Sequence, residues 1–217
     1  MIPTHGFWQE MSRRNMRGKA GLFYFYAAPP QLPDVVVGHA TTPLVTAYPW
    51  SSGFGTKYSN PATLPAGTGR ASYFTPDNTS IAVAHNTNPR VSAYPWSGSG
   101  FGTKYSNPAS AMTGNGIGIM FSPDGADLVV ATSLTPFAHA YAWSSGFGTK
   151  YSDPGTLPTG VPTAGNCVCF TPDGADVAIG HATTPFVTAY AWSSGFGTKY
   201  SDPSTLPAGA GNGVRFS

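Results

Sequence analysis

Between residues 166 and 201 the chain alternates short apolar stretches with clusters of turn-forming residues. Residues 166–170 are short and apolar. Thr171-Pro172-Asp173-Gly174 then puts proline at the first corner of a turn and glycine where φ is positive. Residues 176–180 read as a second apolar strand, broken at Thr183-Thr184-Pro185. From 186 to 192 Phe186, Thr188, Tyr190 and Trp192 fall two apart and share one face of a third strand. Ser193-Ser194-Gly195 is the next turn, and residues 196–201 form a fourth, more polar strand carrying Lys199. A charged lysine on the outermost strand guards the edge against pairing with other sheets.

This pattern recurs. Gly-Phe-Gly-Thr-Lys-Tyr-Ser stands at 53–59, 100–106, 146–152 and 195–201, with Lys57, Lys104 and Lys150 in place of Lys199. First strands end at Phe74, Phe121, Phe170 and Phe216, and third strands end at Trp50, Trp96, Trp143 and Trp192. Four antiparallel strands per unit of about 47 residues, joined by Pro/Gly-rich connectors, are the pattern of a β-propeller blade. The expected fold is therefore all-β: a small propeller of four blades with four antiparallel strands each, spanning residues 34–217. Residues 213–216 are expected to pair with 35–39, so that the C-terminal strand joins the first blade and closes the ring. In a competing scheme residues 22–26 supply the first inner strand and 213–216 start a fifth blade that a second chain finishes, which makes a homo-oligomer an open alternative.

Composition agrees with short strands and tight turns: 27 glycines and 21 prolines against 9% charged residues. The hydrophobic fraction of 41% is enough for a core. No apolar run is long enough to cross a membrane as a helix. A net charge of +2, concentrated near the N-terminus, gives no broad basic face for nucleic acid. Cys167 and Cys169 are two apart on one strand, where a bridge would strain the backbone, and read as buried thiols.

Residues 1–33 lie outside the repeat. Residues 6–18 are expected to form a short helix with Phe7, Trp8 and Met11 on one side and Arg13, Arg14 and Arg17 on the other. About eleven helical residues are marginal alone, so this arm is expected to dock on something, and these six residues are the candidate attachment set.

Phe121-Ser-Pro-Asp-Gly-Ala-Asp, Phe170-Thr-Pro-Asp-Gly-Ala-Asp and the weaker Phe74-Thr-Pro-Asp-Asn-Thr-Ser resemble the signature of WD-repeat-like propellers. Tyr-Ala-Trp-Ser or Tyr-Pro-Trp-Ser stands where a Trp-Asp pair would end the third strand. The full repeat resembles repeat proteins of tailed bacteriophages. That resemblance implies a virion structural or decorating protein, assembled in the host cytoplasm. It would contact other virion proteins through the arm, and host-surface glycan through the blades.

Histidines recur at His39, His85 and His181, with Thr132 in the third copy. Equivalent positions on successive blades lie around a ring and do not converge on one ion, so no metal or cofactor is expected, and a structural hydrogen bond to a neighbouring connector is. Asp77, Asp124 and Asp173 are explained by their own turns, and Asp127 and Asp176 by bracing the following strand. The pairs Tyr48/Trp50, Tyr94/Trp96, Tyr141/Trp143 and Tyr190/Trp192 each share a face and are expected to fill the space between blades. Binding is expected instead at the loops carrying His39, Thr42, His85, Thr135, His181 and Thr184. Blades so alike leave little specialised, which points away from an enzyme and toward a weak contact repeated. Alternatives are a binding module outside the virion and a propeller-type hydrolase or lactonase.

Overall fold

A computed structural model of the protein describes residues 33–158 and 165–217. The arm, including Phe7, Trp8, Met11, Arg13, Arg14 and Arg17, lies outside the described residues. Fourteen strands form four antiparallel sheets, and no helix occurs among the described residues.

The first sheet pairs β1 (Asp34–Gly38) with β2 (Val45–Pro49). The second runs β3 (Gly69–Phe74), β4 (Ser80–His85), β5 (Val91–Ser97), β6 (Gly100–Phe101). The third runs β7 (Gly116–Phe121), β8 (Asp127–Thr132), β9 (Ala138–Trp143), β10 (Phe147–Lys150), and the fourth β11 (Gly165–Phe170), β12 (Asp176–His181), β13 (Val187–Trp192), β14 (Phe196–Lys199). Strand order follows chain order in each, and registers repeat: Phe74 faces Ile81, Phe121 faces Leu128 and Phe170 faces Val177. These are the blades expected from the periodicity.

Two features depart from expectation. The first sheet has two strands where four were expected, its fourth reduced to the single bridge between Trp50 and Phe54. Residues 200–217 form no strand, so closure of the ring by pairing of 213–216 with 35–39 is not seen. Gly211 nonetheless keeps the crossing that the earlier inner strands use. Its N–H donates to the carbonyl of His181 at 2.9 Å, as that of Gly69 donates to His39 at 3.1 Å. Residues 211–216, Gly-Asn-Gly-Val-Arg-Phe, thus leave the fourth blade in the way that β3 leaves the first, as the start of a further inner strand.

The core consists of seams between consecutive sheets. One cluster joins Ala82, Ala84 and Ala93 to Phe121, Leu128 and Trp143, and another joins Val129 and Ala140 to Phe170, Val177 and Trp192. Trp96, Trp143 and Trp192 each meet three rings edge-on. Trp192 lies 6.1 Å from Tyr151, 5.1 Å from Phe170 and 5.2 Å from Phe196, and Trp143 meets Tyr105, Phe121 and Phe147 in the same way. Tyr151 and Tyr105 come from the outer edge of the preceding blade, so each tryptophan is half of an interblade lock. Aromatic pairs in this geometry contribute about 1 kcal/mol each beyond the area they bury. The paired Tyr94, Tyr141 and Tyr190 are fully buried and donate to the carbonyls of Thr63, Ser110 and Thr156. Packing is thus the role of three Tyr/Trp pairs. The exception is Tyr48/Trp50, where Trp50 stays 37% exposed.

Candidate functional site

A polar network crosses two of the three seams beneath the aromatic lock. Asp127 opens β8 and accepts the Tyr151 hydroxyl at 2.7 Å on one oxygen and the Trp192 indole N–H at 3.0 Å on the other. Asp34 does the same for Tyr58 at 2.9 Å and Trp96 at 2.9 Å. At the matching position Ser80 shares a hydrogen bond with the Tyr105 hydroxyl at 3.1 Å. Tyr58 and Tyr151 are pushed up to about 12, first by burial and then by the facing carboxylate, so both remain donors at neutral pH. Asp127 therefore ties two blades together, which corrects its reading as a brace for one strand. The spacing of Asp34, Asp127 and Asp176 to Tyr58, Tyr151 and Tyr200 was the available signal.

Above this network two equivalent clefts open between turns. One of about 180 Å³ is lined by Ser122, Asp124, Asp127 and Asp173 with Trp192 and Ser194. The other, of about 270 Å³, has Thr75, Asp77, Thr79 and Asp124 with Trp143 and Ser145. Asp124 lines both. Each turn aspartate accepts the backbone N–H two residues on: Asp77 from Thr79 at 3.1 Å, Asp124 from Ala126 at 3.0 Å and Asp173 from Ala175 at 3.1 Å. The Ser122 hydroxyl and the Ala126 N–H hold Asp124 below the usual carboxylate range. The side chains of Thr75 and Thr171 act likewise on Asp77 and Asp173. All three are charged at neutral pH, and neither lining contains a lysine or arginine.

The recurring histidines lie elsewhere. His85 and His181 are fully buried, each with Nε2 at 3.0 Å from a hydroxyl of the adjacent strand, Ser92 and Thr188. The partner is thus a hydroxyl on the same sheet, not a neighbouring connector. In the third blade the pair is exchanged: Thr132 takes the histidine's place, and His139 stands where Ser92 and Thr188 stand in their sheets. His139 Nε2 accepts the Thr113 N–H at 3.2 Å, which fixes the neutral ring with its proton on Nδ1. Burial pushes His85 and His139 down to about 4 and lowers His181.

Of the loop residues expected to make contacts, His85 and His181 are thus closed to a partner, whereas Thr42, Thr135 and Thr184 are exposed and His39 is partly so. Each threonine precedes a cis proline. Lys57 and Lys199 turn back onto Asn60 at 2.6 Å and Asp202 at 2.5 Å. Cys169 is buried and Cys167 half-buried, both unbridged.

No family model matches the chain, and no curated protein does. Among solved structures it is similar to one from Bacteroides uniformis described as a candidate 6-phosphogluconolactonase. The TM-score is 0.53 at 17% identity, covering 80% of this chain and 54% of that one. The chain therefore spans about half the length of that protein, and the likeness is one of fold. It overturns the expectation that the chain is not an enzyme, since this arrangement of sheets is shared with a candidate hydrolase. The clefts show why sameness of blades was a poor argument. Each cleft draws on two blades, so a composite site arises at a seam without any blade being specialised.

Proposed function

We propose that the chain is a blade-repeat module that holds neutral, hydroxyl-rich ligands, sugars or sugar lactones, in the clefts between its blades. The observation that carries this reading is that two equivalent clefts each present turn carboxylates, seryl hydroxyls and an indole edge. Ionised carboxylates accept strong hydrogen bonds from ligand hydroxyls, and the same charges disfavour a phosphate where no cation faces it. Hydrolysis of a neutral lactone is the reaction to look for, and the fold relation supports that choice. Titration with gluconolactone, read by the fluorescence of Trp143 and Trp192, is expected to show saturable binding, with 6-phosphogluconolactone at least tenfold weaker. Asp124→Asn, which touches both clefts, is expected to weaken binding about tenfold, the loss of about 1.4 kcal/mol. Equal affinity of variant and parent, or preference for the phosphorylated lactone, would remove the clefts from the account. Release of acid on mixing with the lactone would identify turnover.

A second reading keeps the same ligand chemistry and puts the chain on a phage particle. There it would be a structural or decorating protein facing host-surface glycan and held by residues 1–33. The near-identity of the blades favours it, because a weak contact repeated gains strength by multiplicity. Mass spectrometry of purified particles decides it: the protein's absence ends this reading and leaves the first untouched.

A further inference from the structure

The first and last blades carry complementary halves of a seam. In the complete seams a tryptophan receives a tyrosine from the preceding blade, a phenylalanine from its own inner strand and a carboxylate that accepts its indole N–H. Trp192 has Tyr151, Phe170 and Asp127, and Trp96 has Tyr58, Phe74 and Asp34. Among the described residues Trp50 has only the ring of Phe54, 5.0 Å away, and Phe54 is 66% exposed. All three missing groups stand at the other end of the repeat. Tyr200 is 47% exposed and donates to one oxygen of Asp176 at 2.7 Å, as Tyr151 does to Asp127, while the position of Trp192 has no counterpart there. Phe216 closes the Gly-x-x-x-x-Phe segment that β3, β7 and β11 share.

The backbone repeats the argument. Among the described residues β1 is paired on one side only, and Val37 is 42% exposed where the equivalent Val83, Val130 and Ile179 are fully buried. Along its open side runs a groove of about 440 Å³ lined by Val35, Val36, Tyr73 and Phe74, the slot that an inner strand fills in the other sheets. Residues 211–216 already have the starting geometry of such a strand and pair with no other among the described residues. The seam registers transfer directly: Gly69 to His85 and Phe74 to Ile81 become Gly211 to His39 and Phe216 to Val35.

We propose that this protein binds a second copy of itself head to tail. Residues 211–216 of one copy fill the inner-strand slot beside β1 of the other. Trp50 inserts between Tyr200 and Phe216 of the first copy and donates to its Asp176. The added strand gains main-chain hydrogen bonds, and the tryptophan supplies a desolvated anchor of the kind that dominates interfaces. Such a contact is heterologous, and its repetition closes a ring or continues as a filament.

Sedimentation of the full chain is expected to give a mass that is a multiple of 22.6 kDa. Trp50→Ala, or removal of residues 211–217, is expected to weaken self-association at least tenfold. A mixture of Val37→Cys and Val214→Cys chains under mild oxidation is expected to form a bridge between positions 37 and 214, located by mass spectrometry. Neither variant alone should exceed the dimer background set by Cys167 in the parent. Three results would overturn the proposal. One is a single-chain mass at high concentration. Another is a bridge within one chain of the double variant. The third is a mass unchanged on removing 211–217.

Discussion

Replacing Gly116 by alanine is expected to cost about 3 kcal/mol of stability, the upper range for forcing atoms into a packed interior. A Cβ there would stand 2.4 Å from the carbonyl oxygen of Arg90 and 3.2 Å from the backbone nitrogen of His85. Both are main-chain atoms of the preceding blade and cannot rotate away. The same approach recurs at Gly69, 2.3 Å from the Leu44 oxygen, and at Gly165, 2.4 Å from the Phe137 oxygen. Glycine is therefore required at the start of each inner strand because one blade's backbone rests on the next. Gly209→Ala, with no atom within 4 Å of the added carbon, is expected to change stability by less than about 0.5 kcal/mol. Denaturant midpoints at unchanged slope measure both, and equal midpoints would refute the close approach of blades.

The second large effect is on pH. The imidazoles of His85 and His139 are held at about 4, against about 6.5 in an unfolded chain. The unfolded state therefore binds protons first as pH falls. The stability these rings contribute is fully present above pH 6.5 and is lost progressively down to about 4, by up to about 3 kcal/mol per ring. His181 is shifted the same way. Below that range protonation of Asp77 and Asp124, whose folded carboxyls lie low, continues the loss. Thermal midpoints are expected to fall steeply from pH 7 to pH 4. A flat profile across that window would show the histidines to be charged or solvated in the folded state.

Much of the fold was legible because two signals coincided. The spacing of Phe186, Thr188, Tyr190 and Trp192 marks a strand face, and the copied heptapeptide marks the unit length. The outer strand of the first blade was overestimated. Its letters are identical to those of the others, but among the described residues Trp50 lacks the two further rings that Trp192 has in Tyr151 and Phe170, and one bridge remains of the ladder. Strand content there depends on the next blade, which local sequence does not encode. Closure of the ring within one chain is not seen. Pairing potential between 213–216 and 35–39 is real in the letters, and Gly211 starts that segment as the other inner strands start, yet it makes no pair with β1 of its own chain. The clefts were hidden because Asp124 and Asp173 lie far apart in the chain and meet only across a seam. His139 falls outside the recurring histidine position in the sequence, and only the register shows it to be one half of the exchanged Thr132/His139 pair.

Two of the three seams share one object, a carboxylate of one blade that holds the indole of the next. Its most direct test is a pair of double-mutant cycles, Asp127→Asn with Trp192→Phe and Asp34→Asn with Trp96→Phe. Hydrogen bonds to a charged acceptor contribute about 1.5 to 3 kcal/mol, so each cycle is expected to give a coupling of about 1 to 2 kcal/mol, equal within about 0.5 kcal/mol. Coupling near zero in either cycle would contradict the claim that these two seams are joined in the same way.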